Sequence, residues 1–249
     1  MDATAPSATR FQLPRIMGHR GVAALAPENT LAGLRAAAGL GLSWVEFDVM
    51  LTRDGVPVLF HDDLLKRTTG RPGEMAAHDY AEVRGFDAGQ GFHPDFAGET
   101  VPSLDQAVAV LLEQNLRPNV EIKSTPGRDV ETAQRAIAVL EAAWPSDRPP
   151  PMISSFSAMS LAAARVLAPD WPRALIARRV PKDWKAQLQA LDCVSFHISA
   201  QRGSSKLFNE IHEAGYAVAC FTVNERRRAV NLLRDGADCI VTDNPPALG

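Results

Sequence analysis

The chain has 249 residues, 46% of them hydrophobic and 22% charged, with 26 Lys plus Arg against 29 Asp plus Glu and a formal net charge of −3. A chain of this length and apolar content can bury a sizeable core, so disorder is excluded as its general state. The charge balance lacks the basic excess of a nucleic-acid binder, and no apolar run approaches the roughly 20 residues needed to span a bilayer.

Residues 1–14 mix Ala, Thr, Ser and Pro without an apolar core, so no secretory leader is expected there. From residue 16 onward, short apolar runs alternate with amphipathic stretches. Strands are expected at 16–18, 44–49, 119–123, 152–154, 174–177, 194–197, 217–222 and 239–242. Helices are expected at 30–40, 104–114, 130–143, 158–167, 182–190, 205–214 and 225–234. Eight strands separated by helices is the count of a TIM (β/α)8 barrel, which takes about 250 residues. A doubly wound sheet is disfavoured because no G-x-G-x-x-G follows the first strand. The last expected strand ends close to Gly249, which leaves room for no more than a very short closing helix.

Two places depart from this rhythm. Residues 52–61 read as a β-hairpin after the second strand, with Asp54-Gly55 supplying the positive φ of the turn. Residues 62–102 form a weakly periodic insertion, rich in Gly, Asp, Arg and Thr. A connection that long is expected to be functional, as a lid that leaves a small polar pocket. The whole chain, 1–249, is read as one barrel domain carrying this insertion. Cys193, Cys220 and Cys239 are odd in number and far apart, each inside an apolar run. They read as buried free thiols in a reducing compartment, which places the protein in the cytoplasm.

Chemistry concentrates at strand ends. On the second strand, Glu46 and Asp48 are two apart and share a face. On the next parallel strand, Glu121 and Lys123 do the same near the C-terminal end, where barrel active sites form. Buried like charges are costly unless a cation relieves them, and three converging carboxylates suit a hard divalent ion such as Mg²⁺ or Ca²⁺. A buried salt-bridge network of the acids with Lys123 fits the same residues. The first strand runs into Gly18-His19-Arg20-Gly21 and the hairpin into Phe60-His61-Asp62, so each sets a histidine at the mouth. Two imidazoles can serve as base and acid near neutral pH, while Arg20 and Lys123 offer fixed positive charge to a phosphate.

In order, His19-Arg20-Gly21, Pro27-Glu28-Asn29-Thr30, Glu46-Phe47-Asp48, the 52–58 hairpin with His61-Asp62, and Glu121-Ile122-Lys123 resemble the motifs of the glycerophosphodiester phosphodiesterases. Ser154-Ser155-Phe156, Phe221-Thr222-Val223-Asn224 and Thr242-Asp243-Asn244-Pro245 extend the resemblance to about residue 246. It implies a TIM barrel with the insertion beside the site, and metal-dependent hydrolysis of a small glycerophosphodiester to sn-glycerol 3-phosphate and an alcohol. It implies His19 and His61 as the catalytic pair, Glu46, Asp48 and Glu121 as ligands of Mg²⁺ or Ca²⁺, and Arg20 and Lys123 as phosphate contacts. Phe221 stands where the family usually carries Trp, so an aromatic wall for the glycerol survives without an indole N–H. No nucleic-acid partner and no stable membrane association are expected.

Two other classes stay open. A non-catalytic metabolite-binding barrel would not need both histidines, and a lipid-acting enzyme would carry an apolar anchor or basic amphipathic segment. The remaining polar residues are given structural roles. Asn29 and Asn224 precede helices and read as N-caps, and Ser154 and Ser155 as cap or wall residues without a G-x-S-x-G elbow. His197 reads as a core or supporting residue near the pocket. His78, His93 and His212 read as exposed, and Arg226-Arg227-Arg228 as a solvated helix face.

Overall fold

Eight parallel strands close on themselves into a barrel in the computed structural model, which describes residues 10–123 and 126–249. Most of the 1–14 segment, for which no leader was expected, lies outside the described residues. In chain order the elements begin with β1 (Ile16–Gly18), α1 (Leu31–Gly39), β2 (Trp44–Leu51), β3 (Pro57–Leu59), α2 (Lys66–Thr69), α3 (Tyr80–Val83), α4 (Leu104–Glu113) and β4 (Arg117–Ile122). They continue with α5 (Asp129–Ala143), β5 (Met152–Ser155), α6 (Ala158–Leu167), β6 (Arg173–Ala177) and α7 (Trp184–Ala190). The last are β7 (Ser195–Ser199), α8 (Ser205–Glu213), β8 (Ala217–Phe221), α9 (Arg226–Asp235) and β9 (Cys239–Thr242). β1 pairs with both β2 and β9, which closes the ring, and β3 lies antiparallel to β2 outside it. This is the expected TIM barrel, and the last element in it is a short 3-10 turn at Pro245–Leu248.

The two-residue period of the strands sorts their side chains. Val45, Phe47 and Val49 of β2, with Val120 and Ile122 of β4, join the core between strands and helices, where Leu34, Leu104, Leu111 and Ile137 meet them. Each such side chain contributes about 1.5–3 kcal/mol when fully buried. Met17, Trp44, Met152, Ala174, Ala219, Cys239 and Val241 instead pack together inside the barrel. Phe11 closes the floor, edge-on to Trp44 at 6.4 Å, and the Arg117 guanidinium lies 4.3 Å from the Trp44 ring centre. With the floor sealed by aromatic groups, only the C-terminal ends of the strands remain for a site.

Gly55 adopts φ 80 in the β2–β3 turn, as the Asp-Gly pair requires. The insertion has weak periodicity because its helices are single turns, and it holds together on a core of its own. Leu65, Met75, Val83, Ala88 and Val101 pack with Met50, Val58 and Phe60 of the hairpin. All three cysteines are buried and unpaired. Among the described residues no helix is long and apolar enough to cross a membrane.

Candidate active site

Following the inward phase of each strand upward leads to the site. β2 carries Trp44 at the floor, Glu46 above it and Asp48 near the top; in register, Glu46 faces Asn119 and Asp48 faces Glu121 on β4. One ligand oxygen from each of Glu46, Asp48 and Glu121 lies within 4.8 Å of the others. Lys123 Nζ stands 3.0 Å from Glu121 Oε1 and 3.5 Å from Asp48 Oδ1, and Arg20 Nε is 3.4 Å from Asp48 Oδ2. Burial favours the neutral form of Asp48, but the Lys123 and Arg20 charges outweigh it and hold this carboxyl below its ordinary pKa. Glu46 and Glu121 are driven the other way, first by burial and then by the charge of Asp48.

The cations therefore do not neutralise the whole cluster. Glu46 Oε2 accepts from the Arg20 backbone N–H at 2.9 Å, while buried Oε1 has no hydrogen-bond partner. A buried carboxylate oxygen without a partner is costly, and this oxygen sits in an all-oxygen set of three acids. That donor set fits a hard divalent cation, whereas the salt-bridge network leaves Glu46 unsatisfied.

Both histidines are held by carboxylates. His19 Nδ1 lies 2.5 Å from Asp243 Oδ1, and His61 Nδ1 lies 2.6 Å from Asp62 Oδ1. An ionised carboxylate only accepts, so each Nδ1 carries a proton, and Nε2 is the position at which each ring takes up or gives up a second one. His19 Nε2 faces Glu46 Oε2 at 4.0 Å. Burial lowers the pKa of His19, but the Asp243 hydrogen bond and the Glu46 charge overcome it and leave the ring above its ordinary value. His61 is held below its ordinary value by burial, with Lys123 and Arg20 adding to the effect against Asp48.

The orienting acids are themselves anchored. Asp243 Oδ2 accepts from Asn224 Nδ2 at 2.6 Å, and Asn224 Oδ1 accepts from Thr242 Oγ1 and the Asp243 backbone N–H. Asp62 Oδ2 accepts from Arg67 Nε at 2.5 Å, and Arg67 also donates twice to Glu28, which pairs with Arg20. The Arg67 bond pulls Asp62 down to about 2. Asn29 grips Asp48 from both sides, donating through Nδ2 to Oδ2 at 2.9 Å and accepting the Asp48 backbone N–H through Oδ1 at 3.0 Å.

These contacts correct the N-cap expectation for both asparagines. Thr30 caps α1 by accepting Gly33 N–H, and Glu225 precedes α9 without a side-chain cap, because Asn29 and Asn224 are turned toward the site. Ser155 Oγ donates to Ile122 C=O and accepts Ser157 N–H, while Ser157 caps α6. Gly21, at φ 87, passes so close to Gly33 that a Cβ there would lie 2.7 Å from its carbonyl carbon. That explains the glycine of the His19-Arg20-Gly21 turn.

A cavity of about 470 Å³ opens at the mouth between His19, Arg20, His61 and Glu121 on one side and Phe156, Arg178, Arg179, Arg202 and Phe221 on the other. Phe221 meets Phe156 edge-on at 6.0 Å, so two aromatic rings adjoin on this side of the mouth. Beneath lies a chamber of about 30 Å³ touched by Glu46, Asn119 and His197. Burial pushes His197 down to about 4, which favours its neutral form. The insertion does not cover this mouth. None of residues 62–102 lines the cavity, because their apolar core anchors them against the hairpin.

The structure thus brings His19, His61, Arg20, Lys123, Glu46, Asp48, Glu121 and Phe221 to one end of the barrel. Asp243, Asp62, Glu28 and Arg67, together with Phe156 and Arg178, received no role from the sequence. For three of them a signal was available: Phe156, Arg178 and Asp243 continue the inward alternation of β5, β6 and β9 just past the strand ends.

The chain matches the glycerophosphoryl diester phosphodiesterase family over residues 19–247. A glycerophosphodiester phosphodiesterase of Caldanaerobacter subterraneus is 29% identical over 234 residues, covering 94% of this chain and 95% of the relative. One of Bacillus altitudinis is 28% identical over 236 residues, covering 94% and 96%. Among solved structures, a phosphodiesterase of Oleispira antarctica in complex with the product sn-glycerol-3-phosphate superposes with a TM-score of 0.92 at 37% identity, covering 95% of each chain. A barrel with this order of motifs, and a match that spans nearly its whole length, makes the chain a member of the glycerophosphoryl diester phosphodiesterase family of enzymes.

Proposed function

We propose that this enzyme is a cytoplasmic, divalent-metal-dependent hydrolase that cleaves glycerophosphodiesters to sn-glycerol 3-phosphate and an alcohol, with His19 and His61 as its acid/base pair. The observation that carries this reading is the pair of imidazoles, each locked by its own carboxylate, above three acids that include a buried unpartnered oxygen. The product seen in the Oleispira antarctica structure supports the substrate class. The three buried, unpaired cysteines support a reducing compartment. The whole chain is taken as one domain with residues 62–102 as its insertion.

Glu46, Asp48 and Glu121 would hold Mg²⁺ or Ca²⁺, and a cation bound there supplies charge withdrawal from a phosphate oxygen and a lowered pKa for a coordinated hydroxyl. Arg20 and Lys123 orient the phosphate and balance its charge, Phe221 walls the glycerol carbons, and Phe156 is left to the side of the departing alcohol. One ring enters neutral and its Nε2 takes the proton of the attacking group, while the other enters as an imidazolium, protonated on both nitrogens, and its Nε2 gives a proton to the departing oxygen. Asp243 and Asp62 each stabilise their ring while it is an imidazolium, the acid before the transfer and the base after it, through the Nδ1 hydrogen bonds.

Variants His19→Ala and His61→Ala test the pair. Each is expected to lose about 10²–10⁴-fold in kcat while keeping its circular dichroism spectrum. The double variant is expected to lose less than the product of the two, since partners in one mechanism are non-additive. Near-normal turnover in either folded single variant contradicts the assignment.

A further inference from the structure

The mouth is electrostatically divided. The β1–β4 side carries the acids, both histidines, Arg20 and Lys123, and the β6–β7 side carries Arg178, Arg179 and Arg202. Among the described residues Glu121 is the only carboxylate that lines this cavity, and it belongs to the acidic cluster with Lys123. None of the three arginines is ion-paired among the described residues. Arg178 continues the inward phase of β6 through Ala174 and Ile176, which aims it into the mouth instead of outward to the helices. Its guanidinium lies 5.6 Å from the centre of the Phe156 ring, so a cation already rests on the aromatic surface that a quaternary ammonium would use.

A phosphodiester has one negative charge, which Arg20 and Lys123, with a divalent cation that Glu46, Asp48 and Glu121 would hold, already answer. Glycerol has none. Three further guanidiniums without counter-charges therefore face the part of the substrate that varies, the alcohol. We infer that Arg178, Arg179 and Arg202 form a subsite for an alcohol bearing an anionic group, a phosphate monoester above all, and that they act against cationic alcohols such as choline. Guanidinium groups bind phosphate oxygens through paired N–H donors, and like charge in the same cavity excludes an ammonium, so attraction and repulsion favour the same substrates. This inference deepens the hydrolase reading and rests on it.

The test uses three deacylated substrates that share the glycerophosphate half: glycerophosphoglycerol, the same compound with a phosphate on its second glycerol, and glycerophosphocholine. With metal-loaded wild-type enzyme, kcat/KM is expected to be about tenfold or more higher for the phosphate-bearing compound than for the neutral one, and lowest for the choline compound. The ratio of phosphate-bearing to neutral is expected to shrink as salt is raised. Arg178→Gln, Arg179→Gln and Arg202→Gln are expected to lower it by about three- to tenfold each, and the triple variant to bring it near one. Using each variant's own neutral substrate as reference removes differences in folding or metal content.

A wild-type ratio near or below one, preference for the choline compound, or a ratio unchanged in the triple variant overturns the subsite and leaves the hydrolase reading standing. Faster cleavage of a monoacyl phosphatidylglycerol in anionic vesicles than of the deacylated phosphate-bearing compound assigns the arginines to a membrane surface instead. If none of the three substrates is cut, the hydrolase reading itself falls and the subsite falls with it.

Discussion

Asp243→Asn preserves the shape of the side chain that holds His19 and removes one charge. Oδ1 of Asp243 receives the His19 Nδ1 proton at 2.5 Å and Oδ2 receives Asn224 Nδ2 at 2.6 Å, so both oxygens face donors. An amide has only one oxygen to offer. Asn224 cannot turn around to help, because its own Oδ1 accepts from Thr242 Oγ1 at 3.0 Å and from the Asp243 backbone N–H at 2.9 Å. The new NH₂ group must therefore oppose a donor. Pointed at His19, it forces the tautomer with the proton on Nε2. Such a ring cannot take a proton there, and giving one up would leave an imidazolate, so it fails as base and as acid alike. Pointed at Asn224, it sets two N–H groups against each other and removes the anion opposite the imidazolium. Either outcome predicts a loss of about 10²–10⁴ in kcat. The assay is the initial rate of glycerol 3-phosphate release at saturating substrate, with thermal melting as the control for folding. A folded variant within about threefold of wild-type kcat refutes the argument that Asp243 sets the tautomer.

The same logic extends to His61. Asp62→Asn again leaves one oxygen for two donors, His61 Nδ1 and Arg67 Nε, and a comparable loss in kcat is expected. Arg67→Ala spares the tautomer and removes the anchors of Asp62 and Glu28, neither of which carries the proton, so turnover is expected to fall several-fold at most. Asp62 is held down to about 2 chiefly by Arg67, so the stability it contributes is full above the ordinary carboxylate pKa and is lost as pH falls through about 2. Without Arg67 most of that contribution is lost, the His61 bond keeping the rest, and acid titration followed by circular dichroism should show the variant unfolding at a higher pH than wild type. Gly21→Ala places a Cβ 2.7 Å from the Gly33 carbonyl carbon at φ 87, and a melting curve should report a destabilisation of about 1–3 kcal/mol.

The sequence made the barrel legible because each strand there is a short apolar run with a helix behind it, and all eight appear where that rhythm placed them. It made the acids legible because Glu46, Asp48 and Glu121 interrupt apolar strands on one face, where charge has no structural excuse. The asparagines were misread for a local reason: a polar residue ahead of a helix looks like a cap, and only the closed barrel shows Asn29 reaching Asp48 across 19 residues. Asp243 lies 224 residues from His19, a pairing that no local pattern carries. The insertion lies after the hairpin as expected, but its role as a lid was misread because length and composition say nothing of direction. Its anchoring residues, Leu65, Met75 and Val83, are scattered among single-turn helices whose shared core appears only in three dimensions.

The most direct test of the account concerns Glu46, Asp48 and Glu121 together with the reaction they serve. Enzyme stripped with EDTA is incubated with glycerophosphoglycerol and followed by phosphorus NMR, before and after Mg²⁺ or Ca²⁺ is added in excess. The account predicts no turnover in the stripped protein and the growth of a glycerol 3-phosphate resonance once the ion is restored, with Glu46→Gln folded but requiring more of the ion. Full hydrolysis in excess EDTA, or no glycerol 3-phosphate from the metal-loaded protein, would contradict it.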